Sequence, residues 1–355
     1  MSNSKVFANQ LINWYEHHKR DLPWRNTTDP YKIWLSEIVL QQTRVAQGLP
    51  YYEAFVNQYP TVFDLAEASE TEVLRLWQGL GYYSRARNLH ACAQTVVKDY
   101  NGKFPENFEG LLKLKGIGRY TAAAIASFAF EQPNAVVDGN VYRVLSRIFG
   151  MENDISSTNG PKIFESKANE LLDPARPSSF NQAIMEFGAI QCSPKSPSCV
   201  LCPFSSTCFA YNHNCIDVLP VKTKKVKVSK RYFTYVVFRA GDLFCLKERG
   251  KKDVWQGLYD FHLLEAKEIQ DIENVISLLN ELGLRNCELG TLSKIYEHVL
   301  THQRIFANFV EVKLPHDQME QLLKITDQLS LYSIEQIREL PKPVLISKYL
   351  EDHIF

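Results

Sequence analysis

Two carboxylates and a group of four cysteines are the side chains of this 355-residue chain whose settings most favour chemistry. Glu37 lies in Trp34-Leu-Ser-Glu-Ile-Val-Leu-Gln-Gln-Thr43. On a helix it has Ile33 and Trp34 one turn before it and Leu40 and Gln41 one turn after. Three of those four neighbours are apolar, so Glu37 is expected at the edge of a buried face. Burial raises a carboxyl pKa above its usual value near 4.3, and a rise to roughly 6 leaves about a tenth of it protonated at neutral pH. That suits a general acid. The second carboxylate, Asp138 in Val136-Val-Asp-Gly-Asn140, stands just before an amphipathic run, where an aspartate caps a helix and is kept ionised by its dipole. Capping alone would account for it.

Upstream of Asp138, Leu114-Lys-Gly-Ile-Gly118 opens an apolar helix. Gly116 and Gly118 allow a tight turn between two helices and a close approach of the backbone to another molecule, with helix-start N–H groups that suit a phosphate. An ordinary helical corner is the plain alternative. Cys192, Cys199, Cys202 and Cys208 lie within 17 residues, while the other four cysteines are scattered. In a reducing compartment such clustering favours metal binding over disulfides. Structural zinc usually takes two separated Cys-x2-Cys pairs, and this stretch has one.

The elements that must position these groups follow from pattern. Length predicts two domains, and 45% hydrophobic residues suffice for their cores. The formal net charge of zero gives nucleic-acid binding no support unless the charge is unevenly spread. No signal-like or membrane-length apolar run is present, so an intracellular protein with no membrane partner is expected. Helical periodicity covers residues 5–19 and about 31–47, with Arg20-Asp-Leu-Pro-Trp-Arg25 as a corner between them. Gly79-Leu-Gly-Tyr82-Tyr83 is a bend whose aromatics belong to a core by default, or wedge between bases. Helices are expected near 139–150, 160–172 and 178–191. From Val218 to Arg231 the chain carries six basic residues and no acid, which reads as a linker. Beyond it, Tyr232–Arg239, Leu243–Lys247 and Arg304–Val312 have strand composition, and 271–282 and 343–350 have helical composition.

The glycine hairpin with Asp138, together with the cysteine spacing, resembles the helix-hairpin-helix DNA glycosylase superfamily. The cysteines match the [4Fe–4S] loop of its endonuclease III and MutY branches, and over nearly its whole length the chain resembles MutY-type adenine DNA glycosylases. The implied architecture is multidomain: an all-α glycosylase region at 1–215 with its cluster loop at 192–208, a basic linker at 216–230, and an α+β Nudix-like domain at 231–355. The implied activity is excision of adenine mispaired with 8-oxoguanine or guanine in duplex DNA by base flipping. Glu37 would be the general acid, and Asp138 would stabilise the oxocarbenium-like sugar. Bifunctional relatives carry a lysine directly after Gly-x-Gly-Arg; here it is Tyr120, so a glycosylase without β-lyase activity is expected. Tyr120 and Asn140 would support Asp138. Arg20, Trp24, Arg25 and Glu186 match residues of the adenine pocket, and Gln42 and Tyr82 match residues that fill or wedge the opened stack. The cofactor implied is a [4Fe–4S] cluster on the four cysteines, the partner double-stranded DNA, the state monomeric and the location cytoplasmic, at the nucleoid in a bacterium.

Two departures from the family pattern matter. Aligning a Nudix box on Glu281-Leu-Gly-Leu284 keeps Glu268 and Glu281, but His262, Ile276, Ser277 and Asn280 fall where Gly, Arg, Glu and Glu belong. The C-terminal domain should therefore recognise a ligand without hydrolysing it. Where the family usually reads 8-oxoguanine with Phe-Ser-His, this chain has Leu300-Thr301-His302. Thr301 and His302 keep the polar groups, and Leu300 loses the aromatic face. Two rivals remain, a thymine or oxidised-pyrimidine glycosylase on the same scaffold and a non-enzymatic iron–sulfur DNA-binding protein.

Overall fold

Helix Pro30–Leu40 is buried on almost every side, and the first unit is arranged around it. Asp29 caps it by accepting a 2.9 Å hydrogen bond from the Tyr31 N–H, and Pro30 supplies a preset φ at its first position. The computed structural model describes residues 3–224, 227–251, 253–326 and 328–355. The chain forms two compact units, residues 1–67 with 88–225 and residues 68–87 with 226–355. The stretch 68–87, which its position in sequence assigns to the helical region, thus groups with the C-terminal unit.

The first unit is helical throughout, with no strand among the described residues. Helix Pro30–Leu40 packs against Arg119–Phe130, whose alanine-rich sequence lets the two backbones come close. Asn3–His18 packs against Pro177–Glu186, and their apolar faces meet those of Gly139–Phe149 and Gly160–Leu171 in one core. Phe7, Leu11, Val144, Phe164, Phe180 and Phe187 are at its centre. The single helix expected over 31–47 is two, Pro30–Leu40 and Val45–Gln58. Gln41 leaves helical geometry at ψ 115° and Gln42 takes φ 55°, which ends the hydrogen-bond ladder. Part of the expected linker is also ordered. Leu219 is buried, Ile155 N–H donates to the Val221 carbonyl, and Ser229 already belongs to a strand. Lys225 and Val226, in the same stretch, lie outside the described residues.

The second unit holds a mixed sheet of eight strands among the described residues. Strand Ser229–Ala240 runs at its centre, parallel to Gln303–Lys313 in a register that pairs Tyr232 with Phe306 and Val236 with Val310. It is antiparallel to Leu243–Glu248 at one end and to His262–Ala266 at the other. Helices Ile272–Glu281 and His316–Ile325 supply Val275, Leu279, Met319 and Leu322 to the core on one face. Tyr296–Val299 and Gln303–Lys313 form a hairpin with Leu300-Thr301-His302 at its tip. Ser229 N–H donates to the His302 carbonyl at 2.9 Å, which ties that tip to the central strand. Helix Glu70–Leu76 and the bend after it belong to this unit: Gly257 lies against Leu74, and Gln78 accepts from the Lys342 N–H at 3.1 Å.

The two hairpin glycines have different reasons to be glycine. Gly116 sits at φ +80° with the Asn88 Cβ only 2.7 Å from where its own would be, whereas Gly118 has extended backbone and nothing within 4 Å. Gly116→Ala should therefore cost about 2 kcal/mol or more, and Gly118→Ala well under about 1 kcal/mol. Chemical denaturation of both variants checks this; equal losses would contradict it.

Candidate active site

Glu37 occupies the middle of helix Pro30–Leu40 and is 7% exposed. Burial is the strongest influence on its carboxyl and pushes the pKa up to about 7; the Tyr120 hydrogen bond and the charge of Arg25 pull it down, and the charge of Asp138 pushes it up. Tyr120 reaches it from the first turn of Arg119–Phe130. Its own hydroxyl is pushed well above the usual tyrosine value by burial and by the two carboxylates.

Asp138 caps helix Gly139–Phe149, with one oxygen accepting from the Val141 N–H at 2.8 Å. Its other oxygen accepts from Asn140 Nδ2 at 2.8 Å. Burial raises the Asp138 pKa against these hydrogen bonds and the charge of Arg143. Of the two carboxyls, Asp138 is the one surrounded by donors, so it is the better-supported anion. Asn140 in turn accepts from Arg143 Nη2 at 2.8 Å, and Arg143 Nε donates to the Cys192 carbonyl at 2.8 Å. Gly188 closes this corner: a Cβ there would lie 2.6 Å from that of Asn140.

Glu186, 1% exposed, is the opposite of Glu37. Burial opposes its ionisation, but Arg20 binds it through Nε at 2.7 Å and Nη2 at 2.6 Å, and Arg25 through Nη2 at 2.7 Å. The pKa falls to about 2. Trp24, between the arginines on the turn Pro23–Arg25, packs edge-on against Tyr52 at 5.1 Å.

These groups open onto one cavity of about 1050 Å³. It is lined by Arg20, Trp24, Arg25, Glu37, Gln42, Gly116, Gly118, Tyr120, Asp138, Asn140 and Glu186, so the structure brings together every candidate of the first unit except the cysteines. An acid near neutrality, a second carboxylate with two donors and a fixed Arg–Glu–Arg group can protonate a leaving group, stabilise a cation and hold a polar planar ligand. Gln41 and Arg143, which sit inside or beside the motifs of Glu37 and Asp138 without a role assigned to them, also line the cavity, as do Thr121 and Gln182, which no motif marked. Gln42 is exposed and in left-handed backbone, a disfavoured state for this residue type.

The cysteine loop follows a π turn at Phe187–Gln191. Cys199 and Cys202 share one turn, the Cys202 N–H donating to the Cys199 carbonyl at 3.1 Å. Burial raises the pKa of Cys199, Cys202 and Cys208, and the neighbouring cysteines push each of them further up, so the four thiols lie within each other's electrostatic reach. Buried Arg147 donates to Cys192 Sγ at 3.6 Å and to the Ser193 and Pro194 carbonyls at 2.7 and 3.1 Å. Four thiols on one loop beside the buried Arg147 are a donor set whose chemistry suits an iron–sulfur cluster.

In the second unit Tyr82 is 42% exposed at φ 50°. Its hydroxyl shares a hydrogen bond with that of Thr301, and Thr301 and His302 are both exposed at the hairpin tip. The structure thus brings one wedge candidate and one lesion-loop candidate into contact.

A family model described as HhH-GPD superfamily base excision DNA repair protein matches residues 35–174, and one described as NUDIX domain matches 234–352. An adenine DNA glycosylase of Buchnera aphidicola subsp. Acyrthosiphon pisum (strain APS) is 31% identical over 353 residues, 98% of this chain and 97% of that protein. One from Mus musculus is 48% identical over 215 residues, 58% of this chain and 42% of the mouse protein, so the match spans less than half of that relative. The solved structure of a thermostable thymine-DNA glycosylase matches with TM-score 0.55 and 32% identity, covering 59% of this chain and 97% of its own. No helix among the described residues is long and apolar enough to cross a membrane.

The Glu37 environment fixes a sign for stability. Its folded pKa of about 7 lies above the ordinary 4.5, so the folded state holds the proton more tightly and loses stability as pH rises from about 4.5 through about 7. Glu37→Gln cannot ionise. The variant should gain on the parent as pH rises across that window, by up to roughly 3 kcal/mol. Denaturation at several pH values reads the gap; a constant gap would contradict the assignment.

Proposed function

We propose that this chain, which belongs to the adenine DNA glycosylases and carries their HhH-GPD and Nudix domains, hydrolyses the N-glycosidic bond of adenine mispaired with 8-oxoguanine or guanine in duplex DNA. The observation that carries the reading is a buried acid near neutral pKa, Glu37, in one cavity with a hydrogen-bonded carboxylate, Asp138. A glycosidic bond within the stack is out of reach, so the adenine must rotate out into the cavity. There Arg20, Arg25, Trp24 and Glu186 supply fixed polar groups and an aromatic face. Glu37 gives its proton to the base, which makes adenine a neutral leaving group. As the C1′–N bond lengthens, positive charge builds on the sugar, and Asp138 opposes it, paralleling the paired-carboxylate logic of glycosidases. Water then adds to C1′ and gives its proton to the now ionised Glu37, which restores the acid. Tyr120 steadies Glu37 and offers no amine, which favours a monofunctional glycosylase.

On the wall of the same cavity, Gly116 and Gly118 open the helix start of Arg119–Phe130 to a phosphate. Gln42 and Tyr82 fill or wedge the opened stack; both are exposed and in left-handed backbone. Thr301 and His302 read the lesion strand. Cys192, Cys199, Cys202 and Cys208 would hold a [4Fe–4S] cluster, which supplies a compact cross-link and a fixed charge to its loop. A thymine substrate is the second reading, since the thymine-DNA glycosylase structure shares the helical part. Relatives named adenine DNA glycosylase match across the C-terminal domain too, which favours adenine.

Single-turnover assays on A:8-oxoguanine, A:G and thymine-containing duplexes test the substrate. Adenine should be released from the first two and thymine from none. Glu37→Gln and Asp138→Asn should bind the mispair yet lose at least about 10²–10⁴-fold in rate; near-normal rates in either variant remove that residue from the mechanism. Thr301→Ala with His302→Ala should weaken A:8-oxoguanine binding roughly tenfold and A:G binding much less. Equal losses would assign the loop to backbone positioning. Protein purified anaerobically should be brown, with about four irons per chain. Cys199→Ser should then harm folding and DNA affinity more than the chemical step, and a colourless, fully active protein would refute the cluster.

A further inference from the structure

The bend that carries Tyr82 is built from disfavoured backbone, with φ of 102° at Gly79, 71° at Gly81 and 50° at Tyr82. Glycine accepts such angles freely, but a tyrosine holds one only where its neighbours over-determine it. Two side chains do so here. Trp77, fully buried, donates its indole N–H to the Gly81 carbonyl at 3.0 Å. Arg85 Nη2 donates to the carbonyls of Leu80 and Gly81 at 3.4 and 3.3 Å. The same guanidinium lies 5.1 Å from the centre of the Trp77 ring and 5.6 Å from that of Tyr82. Trp77 is the anchor, and Arg85 carries its rigidity to the exposed ring.

We propose that Arg85 is the positioning residue of the Tyr82 wedge: stacked against Trp77 and Tyr82 and bonded to the carbonyls of residues 80 and 81, it holds the ring in the outward pose from which it enters the base stack. The assignment rests on the reading of Tyr82 as a wedge. The Thr301 hydroxyl holds the far end of the same ring, so Tyr82 is fixed along its length. Burial lowers the Arg85 pKa to about 10, so the charge that attracts both rings persists at neutral pH. Lysine cannot substitute. It has no planar face to stack and no rigid fork of donors.

The test uses the full chain and an A:8-oxoguanine duplex with 2-aminopurine beside the mispair, the adenosine being 2′-fluorinated to resist hydrolysis. Fluorescence reports unstacking, and single-turnover rates come from the unmodified duplex. Arg85→Lys should reduce the unstacking signal and slow adenine release by roughly tenfold, the scale of one lost stacking contact. In a Tyr82→Leu background the same substitution should add nothing, because Arg85 acts only through that ring. Equal losses in both backgrounds, with a shallower salt dependence of binding, would mean that Arg85 itself holds a phosphate and would overturn the proposal. Unchanged unstacking in Arg85→Lys would also overturn it. Unchanged unstacking in Tyr82→Leu alone would refute the wedge reading and this assignment with it. Should Arg85→Lys fail to fold, Trp77→Phe keeps an aromatic ring and removes the donor to Gly81, and the same outcomes decide.

Discussion

Two glutamates buried beside the same cavity are driven to opposite protonation states. Glu186 has two arginines bonded to it and is held down at about 2; Glu37 has a tyrosine hydroxyl and a neighbouring carboxylate and is pushed to about 7. Desolvation acts on both, so the difference lies in the partners each receives. One carboxylate is a permanent anion that fixes two cations in place. The other can carry a proton at neutral pH and give it up. Separating two acids in this way is how a site obtains acid chemistry and charge stabilisation from a single residue type.

Holding Glu37 in that state requires a rigid surround, because a rotamer change or entering water would return its pKa toward normal. Helix Pro30–Leu40 supplies this through burial of Tyr31, Ile33, Trp34, Leu35, Ile38 and Val39 on nearly all its sides. Asp138 is fixed by its helix and by the run Asn140–Arg143–Cys192, which reaches the start of the cysteine loop in three hydrogen bonds. Arg147, one turn further along the same helix, gathers the loop carbonyls of Ser193 and Pro194. The cysteine loop and the second carboxylate therefore share one helix as their frame.

Much of this was legible in the sequence, because a motif fixes residue type and spacing together. Three apolar neighbours marked Glu37 for burial, and the residue before an amphipathic run marked Asp138 as a cap; both hold. Three strands of the C-terminal unit were readable from composition and lie within a few residues of expectation, while the shorter strands such as His262–Ala266 and Tyr296–Val299 were not. What stayed hidden depends on long-range packing. Nothing in residues 68–87 says that they group with a domain beginning some 140 residues later; contacts such as Gln78 with Lys342 are invisible to local pattern. The break at Gln41–Gln42 contains neither glycine nor proline, so periodicity ran through it. Nothing local in the sequence marked Arg143 and Arg147 for burial, which comes with the carbonyls they bind at Cys192 and Ser193.

The central claim is that Glu37 acts as a protonated acid held near neutrality by burial. Its most direct test is the pH dependence of single-turnover adenine release from an A:8-oxoguanine duplex, with binding saturated at every pH. The rate should fall as pH rises through about 7, with a limiting slope of one decade per pH unit, as the proton on Glu37 is lost. A rate that stays level to about pH 9 would contradict the account, because no carboxylic acid in this setting would still hold its proton there.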